Sequence, residues 1–210
     1  MELLDAATMN CLDGYQGQVF DHKPMLFFEY HGTGNEVEQV LDTLPGALED
    51  FGSCNFQSAT TQEDINALWK ARHDAFWAVK AQYPGLDVIA TDVCVPVSNL
   101  AGIVEKTAGD IVELGVVAAP LFGHVGDGNF HLLVLFDRAD PSQMEQVRML
   151  EDRLIRRAIA VGGTCTGEHG IGTGKKQYLE LEFGAGTVAA MKAIKTALDP
   201  TTILNPDKVC

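Results

Sequence analysis

The sequence predicts an α+β fold, an antiparallel sheet covered on one face by helices. Two observations carry this. Short apolar runs of strand length interleave with longer amphipathic stretches in the order strand, helix, strand, helix, strand, helix and two strands. The last two apolar runs flank the segment GHVGDGNFH (123–131), whose Asp127-Gly128 is a strong hairpin signal. That segment lacks the GxGxxG order of a dinucleotide-binding turn, which argues against a doubly wound nucleotide domain. The reading divides the chain into an α+β cap over 1–140 and a helical segment over 141–210 that carries a Gly-rich loop and a tail.

In chain order, 25–30 reads as a strand, 35–49 as a helix and 54–58 as an extended piece. A second helix over 62–80 is brought to an end by Pro84-Gly85. The run IATDVCV (89–95) is a strand closed by Pro96, and 99–114 is an amphipathic helix. The runs 116–122 and 130–136 are the hairpin strands. A charged amphipathic helix over 141–161 is closed by Gly162-Gly163, followed by the Gly-rich loop, two helical pieces and a tail ending ILNPDKVC.

Composition narrows the function. Over 210 residues, 46% hydrophobic content is ample for a packed core, and a formal net charge of −14 opposes nucleic-acid and anionic-membrane partners. The five cysteines (Cys11, Cys54, Cys94, Cys165, Cys210) show no CxxC pairing and no disulfide spacing, as expected in a reducing compartment. The start MELLDAATMN lacks the basic and apolar regions of a signal peptide, and no window is long and apolar enough to span a membrane, so cytoplasm is the default location.

Two segments carry chemistry. With Asp127-Gly128 as a two-residue turn, counting outward sets His124 directly opposite His131, on one face and close enough for two imidazoles to meet one ion. The loop GGTCTGEHGIGTG (162–174) supplies Glu168 and His169 among glycines that let backbone approach a ligand. Two histidines and a glutamate form a facial ligand set with open positions, suited to Zn, Mn or Fe(II), and leave His169 to move protons. The competing reading is that both histidines are structural, because sequence does not show convergence in space. A Walker phosphate loop fails, since Lys176 follows Lys175 and His169 stands where its first glycine belongs. On the helix LWKARHDAFW (68–77), Arg72 shares a stripe with Leu68 and Phe76, so it requires an anionic partner, either an internal acid or a substrate carboxylate.

GHVGDGNFH, then GTCTGEHGIGTGKKQYL and a terminal ILNPDK, resemble the C-terminal half of the FAD-linked D-2-hydroxy acid dehydrogenases. LWKARHDAFW followed by TDVCVPVSNL narrows the resemblance to the D-lactate dehydrogenase (cytochrome) type, with glycolate oxidase subunits and D-2-hydroxyglutarate dehydrogenases as relatives. The resemblance implies a ferredoxin-like cap and a divalent metal, Zn or Mn with Fe as an alternative, held by His124, His131 and Glu168. It implies His169 as general base, Arg72 and Asn129 at the substrate, and Asn205 near the flavin. The FAD itself is implied to sit mainly on an N-terminal domain that these 210 residues do not supply, so the chain alone is expected to be inactive. Members selecting hydroxyglutarate carry Thr and Lys where this chain has Phe76 and Ala90, which favours a small apolar substrate tail such as that of lactate. The implied partners are a D-2-hydroxy acid and an electron acceptor (cytochrome, quinone or electron-transfer flavoprotein), with a homodimer left open and a mitochondrial location for a eukaryotic member. Two other classes stay open, a stand-alone non-haem iron oxygenase and a catalytically silent metal-binding module.

Overall fold

A computed structural model describes residues 1–53 and 55–209, so Cys54 and Cys210 lie outside the described residues. The elements run β1 (Glu2–Leu4), α1 (Ala6–Leu12), β2 (Met25–Phe27), α2 (Gly34–Glu49), α3 (Gln62–Gln82), β3 (Asp87–Ala90) and β4 (Val93–Cys94). There follow α4 (Val97–Leu114), β5 (Leu121–Gly123), β6 (Asn129–Phe136), α5 (Pro141–Ala160) and α6 (Leu179–Leu198). The strands form one antiparallel sheet in the order β2-β1-β5-β6-β3, and β4 also pairs with β6.

β6 is the axis of the molecule, and every one of its residues is buried. Phe130, Leu132, Val134 and Phe136 point to a core shared with Ile103 of α4 and Val147, Leu150 and Leu154 of α5. Leu133 and Leu135 point to a second core with Met9 and Leu12 of α1 and Ala71, Ala75 and Ala78 of α3. Helices therefore cover both faces of the sheet, where the sequence reading placed them on one. The reason is visible in NFHLLVLF, a nearly continuous apolar run, which is the pattern of a strand buried on both sides. Each fully buried Leu or Phe here is worth about 2 kcal/mol of transfer free energy.

Other differences are local. The sequence reading missed β1 and α1, a three-residue strand and a seven-residue helix too short to show a period; Asp5 caps α1 by accepting the Thr8 N–H at 2.7 Å. The expected strand 25–30 stops at Phe27, and 55–58 form no strand. The run 89–95 splits into β3 and β4 at Thr91-Asp92, where the Thr91 hydroxyl accepts the Leu132 N–H at 2.9 Å. Only 121–123 of the apolar run after α4 is strand, because Pro120 has no N–H to continue the ladder. On α3 the buried stripe is Ala71, Ala75, Ala78 and Val79, while Trp77 faces solvent. Cys11, Cys94 and Cys165 are free thiols; burial pushes Cys11 up to about 11 and Cys165 up to about 12. Among the described residues no helix is long and apolar enough to cross a membrane.

The β5–β6 hairpin corrects the expected pairing. Phe122, not His124, faces His131, and the turn spans four residues, with the His124 carbonyl accepting the N–H groups of Asp127 (2.9 Å) and Asn129 (3.2 Å). Docking against the end of β4 explains the longer turn: Gly128, at φ 80°, accepts the Val95 N–H at 2.9 Å, and a Cβ there would stand 1.9 Å from the Val95 carbonyl oxygen. The offset is two positions, so His124 and His131 still share a face as diagonal neighbours.

Candidate metal and substrate site

The shared face of the hairpin meets three other segments. The ring centroids of His124 and His131 lie 6.3 Å apart, and Glu168 from the Gly-rich loop reaches between them. Its Oε1 is 2.9 Å from His131 Nε2 and 3.6 Å from His124 Nε2. His169 stacks on His131 with centroids 4.7 Å apart and planes 9° apart.

The other ring nitrogens are spoken for. His131 Nδ1 lies 3.0 Å from the Thr91 carbonyl oxygen, and His124 Nδ1 lies 2.5 Å from Glu2 Oε1. Both neighbours are acceptors, so a ring proton on each Nδ1 satisfies them and would leave both Nε2 lone pairs for a cation. Burial pushes the His131 pKa down, favouring the neutral ring, against the opposing pull of its Thr91 hydrogen bond and the nearby carboxylates of Asp92 and Glu168. Two imidazole lone pairs and a carboxylate oxygen then face one another, an acceptor cluster that a divalent cation satisfies. Glu2 behind His124 and the Thr91 carbonyl behind His131 are the outer partners that metal-bound imidazoles require.

A second triplet of close donor atoms, Asp92, His131 and His169, overlaps the first. Its carboxylate is already committed: Asp92 accepts hydrogen bonds from the Thr166 hydroxyl (2.6 Å), the backbone N–H groups of His169 (2.9 Å) and Glu168 (3.0 Å), and Asn129 Nδ2 (2.7 Å). Burial alone would raise its pKa, but these donors outweigh burial and hold the carboxyl far below the usual range. The triplet of His124, His131 and Glu168 is therefore the one with free ligand atoms.

Arg72 finds an internal acid. Its Nε donates to Glu2 Oε2 at 2.7 Å and its guanidinium carbon lies 4.8 Å above the Phe122 ring. Glu2 thus joins Arg72 to His124, and its carboxyl stays below the ordinary range because those two partners outweigh the effect of burial. Asn129 is buried, with Nδ2 shared between Asp92 Oδ1 and the Val93 carbonyl at 2.9 Å, and its Oδ1 has no partner among the described residues. Asn205 stands apart in the exposed tail, at φ 46°, with its carbonyl accepting the Lys208 N–H.

Sequence reasoning missed Glu2 and the role of Asp92. The only signal for the first is an acid beside Leu3 and Leu4; for the second it is a carboxylate inside the apolar run IATDVCV.

A family model described as FAD linked oxidases, C-terminal domain, matches residues 1–209. The chain belongs to this family. Within the FAD linked oxidases it is 40% identical over its whole length to a probable mitochondrial D-lactate dehydrogenase of Danio rerio, covering 42% of that protein. It is 35% identical over its whole length to the mitochondrial D-lactate dehydrogenase [cytochrome] of Arabidopsis thaliana, covering 37%. It is also 35% identical to a glycolate oxidase subunit of Bacillus subtilis, covering 44%. This FAD linked oxidase domain therefore spans less than half the length of these curated relatives. A 4-ethylphenol oxidase from Gulosibacter chungangensis shares the fold, with a TM-score of 0.69 over 99% of this chain and 46% of that one at 17% identity. The family implies FAD, and the α+β architecture agrees with the sequence reading.

Proposed function

We propose that the chain is the substrate- and metal-binding part of an FAD-dependent D-2-hydroxy acid dehydrogenase whose substrate is D-lactate. The observation that supports it most is the convergence of His124 Nε2 and His131 Nε2 on Glu168, with His169 stacked alongside. His124, His131 and Glu168 hold the divalent ion, Zn or Mn. Once bound, that ion supplies Lewis acidity that makes a 2-hydroxyl easier to deprotonate. The flavin, carried by the remainder of the enzyme, supplies the hydride acceptor.

The chain's own residues do the rest. Arg72, whose Nε is occupied by Glu2, offers its amino groups to the substrate carboxylate as a planar fork. His169, 44% exposed, takes the proton from the hydroxyl oxygen. The stacked His131 ring and the Asp92 bond to the His169 N–H limit where that base can stand. Asn129, whose Oδ1 has no partner among the described residues, faces the substrate, and Asn205 faces the flavin. Phe76 and Ala90 stand where members selecting hydroxyglutarate carry Thr and Lys, which favours lactate over hydroxyglutarate. The names of the curated relatives support a cytochrome as acceptor and, in a eukaryote, the mitochondrion as location.

Metal analysis of the purified chain beside His131→Ala tests the reading. The expected result is about one Zn, Mn or Fe per chain, lost in the variant; equal metal content in both would overturn the ligand assignment. In the complete enzyme, His169→Ala should abolish turnover and keep the metal, and a variant turning over at the normal rate would remove His169 from the base role.

A further inference from the structure

We infer that Asp92 is the positioning residue of the site: it sets Glu168 and His169 in their working places before any metal arrives. The inference rests on the functional reading above for what those two residues do, and on separate observations for how they are held.

The loop after α5 is rich in glycine and would, left alone, sample many conformations. Attachments at three points to one short stretch of chain, residues 92–94, prevent this. At its start, Thr164 and Cys94 exchange backbone hydrogen bonds of 2.8 and 3.3 Å. In the middle, Asp92 Oδ2 accepts the Thr166 hydroxyl and the N–H groups of Glu168 and His169, all within 3.0 Å. At its end, Lys175 Nζ donates to the Asp92 carbonyl at 2.6 Å. The Thr166 hydroxyl also accepts the Gly170 N–H at 2.9 Å, so the turn GEHG is closed through the same oxygen.

The other Asp92 oxygen is fixed by Asn129, which belongs to the histidine-bearing strand β6. A single carboxylate, 1% exposed, therefore ties the loop to the strand that carries His131. Gly167 is part of the same fit, since a Cβ there would lie 2.0 Å from Asn129 Nδ2 and 2.9 Å from Asp92 Oδ1. None of these bonds uses a ligand atom of the metal triplet, so all of them persist without metal. The loop is ordered in advance, and the ordering entropy is not charged to metal binding.

The test uses Thr166→Val, which removes one donor to Asp92, and Thr166→Ser, which keeps the hydroxyl. Two quantities are read on the 210-residue chain: amide hydrogen exchange at 168–170 without metal, and the dissociation constant for Zn²⁺ by calorimetry. Thr166→Val is expected to speed exchange and weaken Zn²⁺ binding, each about tenfold, as loss of an outer partner does. Thr166→Ser should restore both to within about twofold. Asp92→Asn should exceed Thr166→Val in both, and if it does not fold the threonine pair decides alone. Thr166→Val with wild-type exchange and wild-type Zn²⁺ affinity would overturn the inference while leaving the His131→Ala result standing. Faster exchange in a chain that binds no metal would support the positioning role and sink the ligand assignment instead.

Discussion

Glu2 bonds Arg72 with one oxygen and His124 with the other, so a single carboxylate orients the group proposed for the substrate and a group proposed for the metal. Glu2→Gln keeps the size but can satisfy only one of these donors. Zn²⁺ affinity should fall by about 10- to 100-fold, measured by calorimetry; an unchanged affinity would mean that His124 keeps its orientation without Glu2. The contrast with the motif residues explains what was legible. His124, His131, Glu168 and His169 are side chains that turn chemistry does not call for, set among glycines, and so they announce themselves in one dimension. Glu2 and Asp92 act on His124 and Glu168, 122 and 76 positions away in the chain, and only the fold makes those distances short. For Arg72 the sequence posed the right question, internal acid or substrate, and the structure supplies the internal acid.

The two helices on the even face of β6 are held together by ion pairs as well as apolar packing. Asp110 of α4 accepts from Arg153 at 2.8 Å and from Arg157 at 2.5 Å, both on α5. Burial would raise the Asp110 pKa, but the two guanidinium groups outweigh it and hold the carboxyl below its usual range. A carboxylate depressed in the folded state contributes stability above its unfolded pKa and loses it as pH falls through the folded value. Asp110→Asn should therefore destabilise by roughly 1–2 kcal/mol at pH 7, after allowing for the partial exposure of both arginines. Urea unfolding at pH 7 and pH 3 should show that gap narrowing in acid. In the hairpin, Gly128→Ala forces a Cβ onto backbone that cannot rotate away and should cost at least about 2 kcal/mol by the same assay. Helices were the more legible elements because their signals are local. Asp140 as N-cap, Pro141 behind it and Gly162 beyond bound α5 within a residue of the sequence reading. Strands of two to four residues such as β1 and β4 owe their existence to partners elsewhere in the chain, and the hairpin register to contact with β4, which no local pattern encodes.

Across the whole molecule, the α+β class and antiparallel sheet were legible from element order, while the second helical layer was not, because it depends on α1 and α3 meeting over β1 and β5. The proposed metal ligands come from the hairpin turn, from β6 and from the loop after α5, so a bound ion ties distant segments together. At a hundred times its dissociation constant, Zn²⁺ should add about 2.7 kcal/mol and raise the unfolding midpoint by roughly 5–10 °C relative to a chelated sample. No shift at saturation would count against a site in the native fold. Charge adds a consequence of the Glu2 bridge. Glu2, Asp92 and Glu168 outnumber Arg72 and Lys175 by one negative charge, inside a chain of net charge −14. The protein's own groups there therefore draw a cation and repel an anion, and the balance would turn positive only with a divalent ion bound. On the proposed function, binding would then be electrostatically ordered, ion first and hydroxy acid second, so the metal would act as gatekeeper as well as Lewis acid.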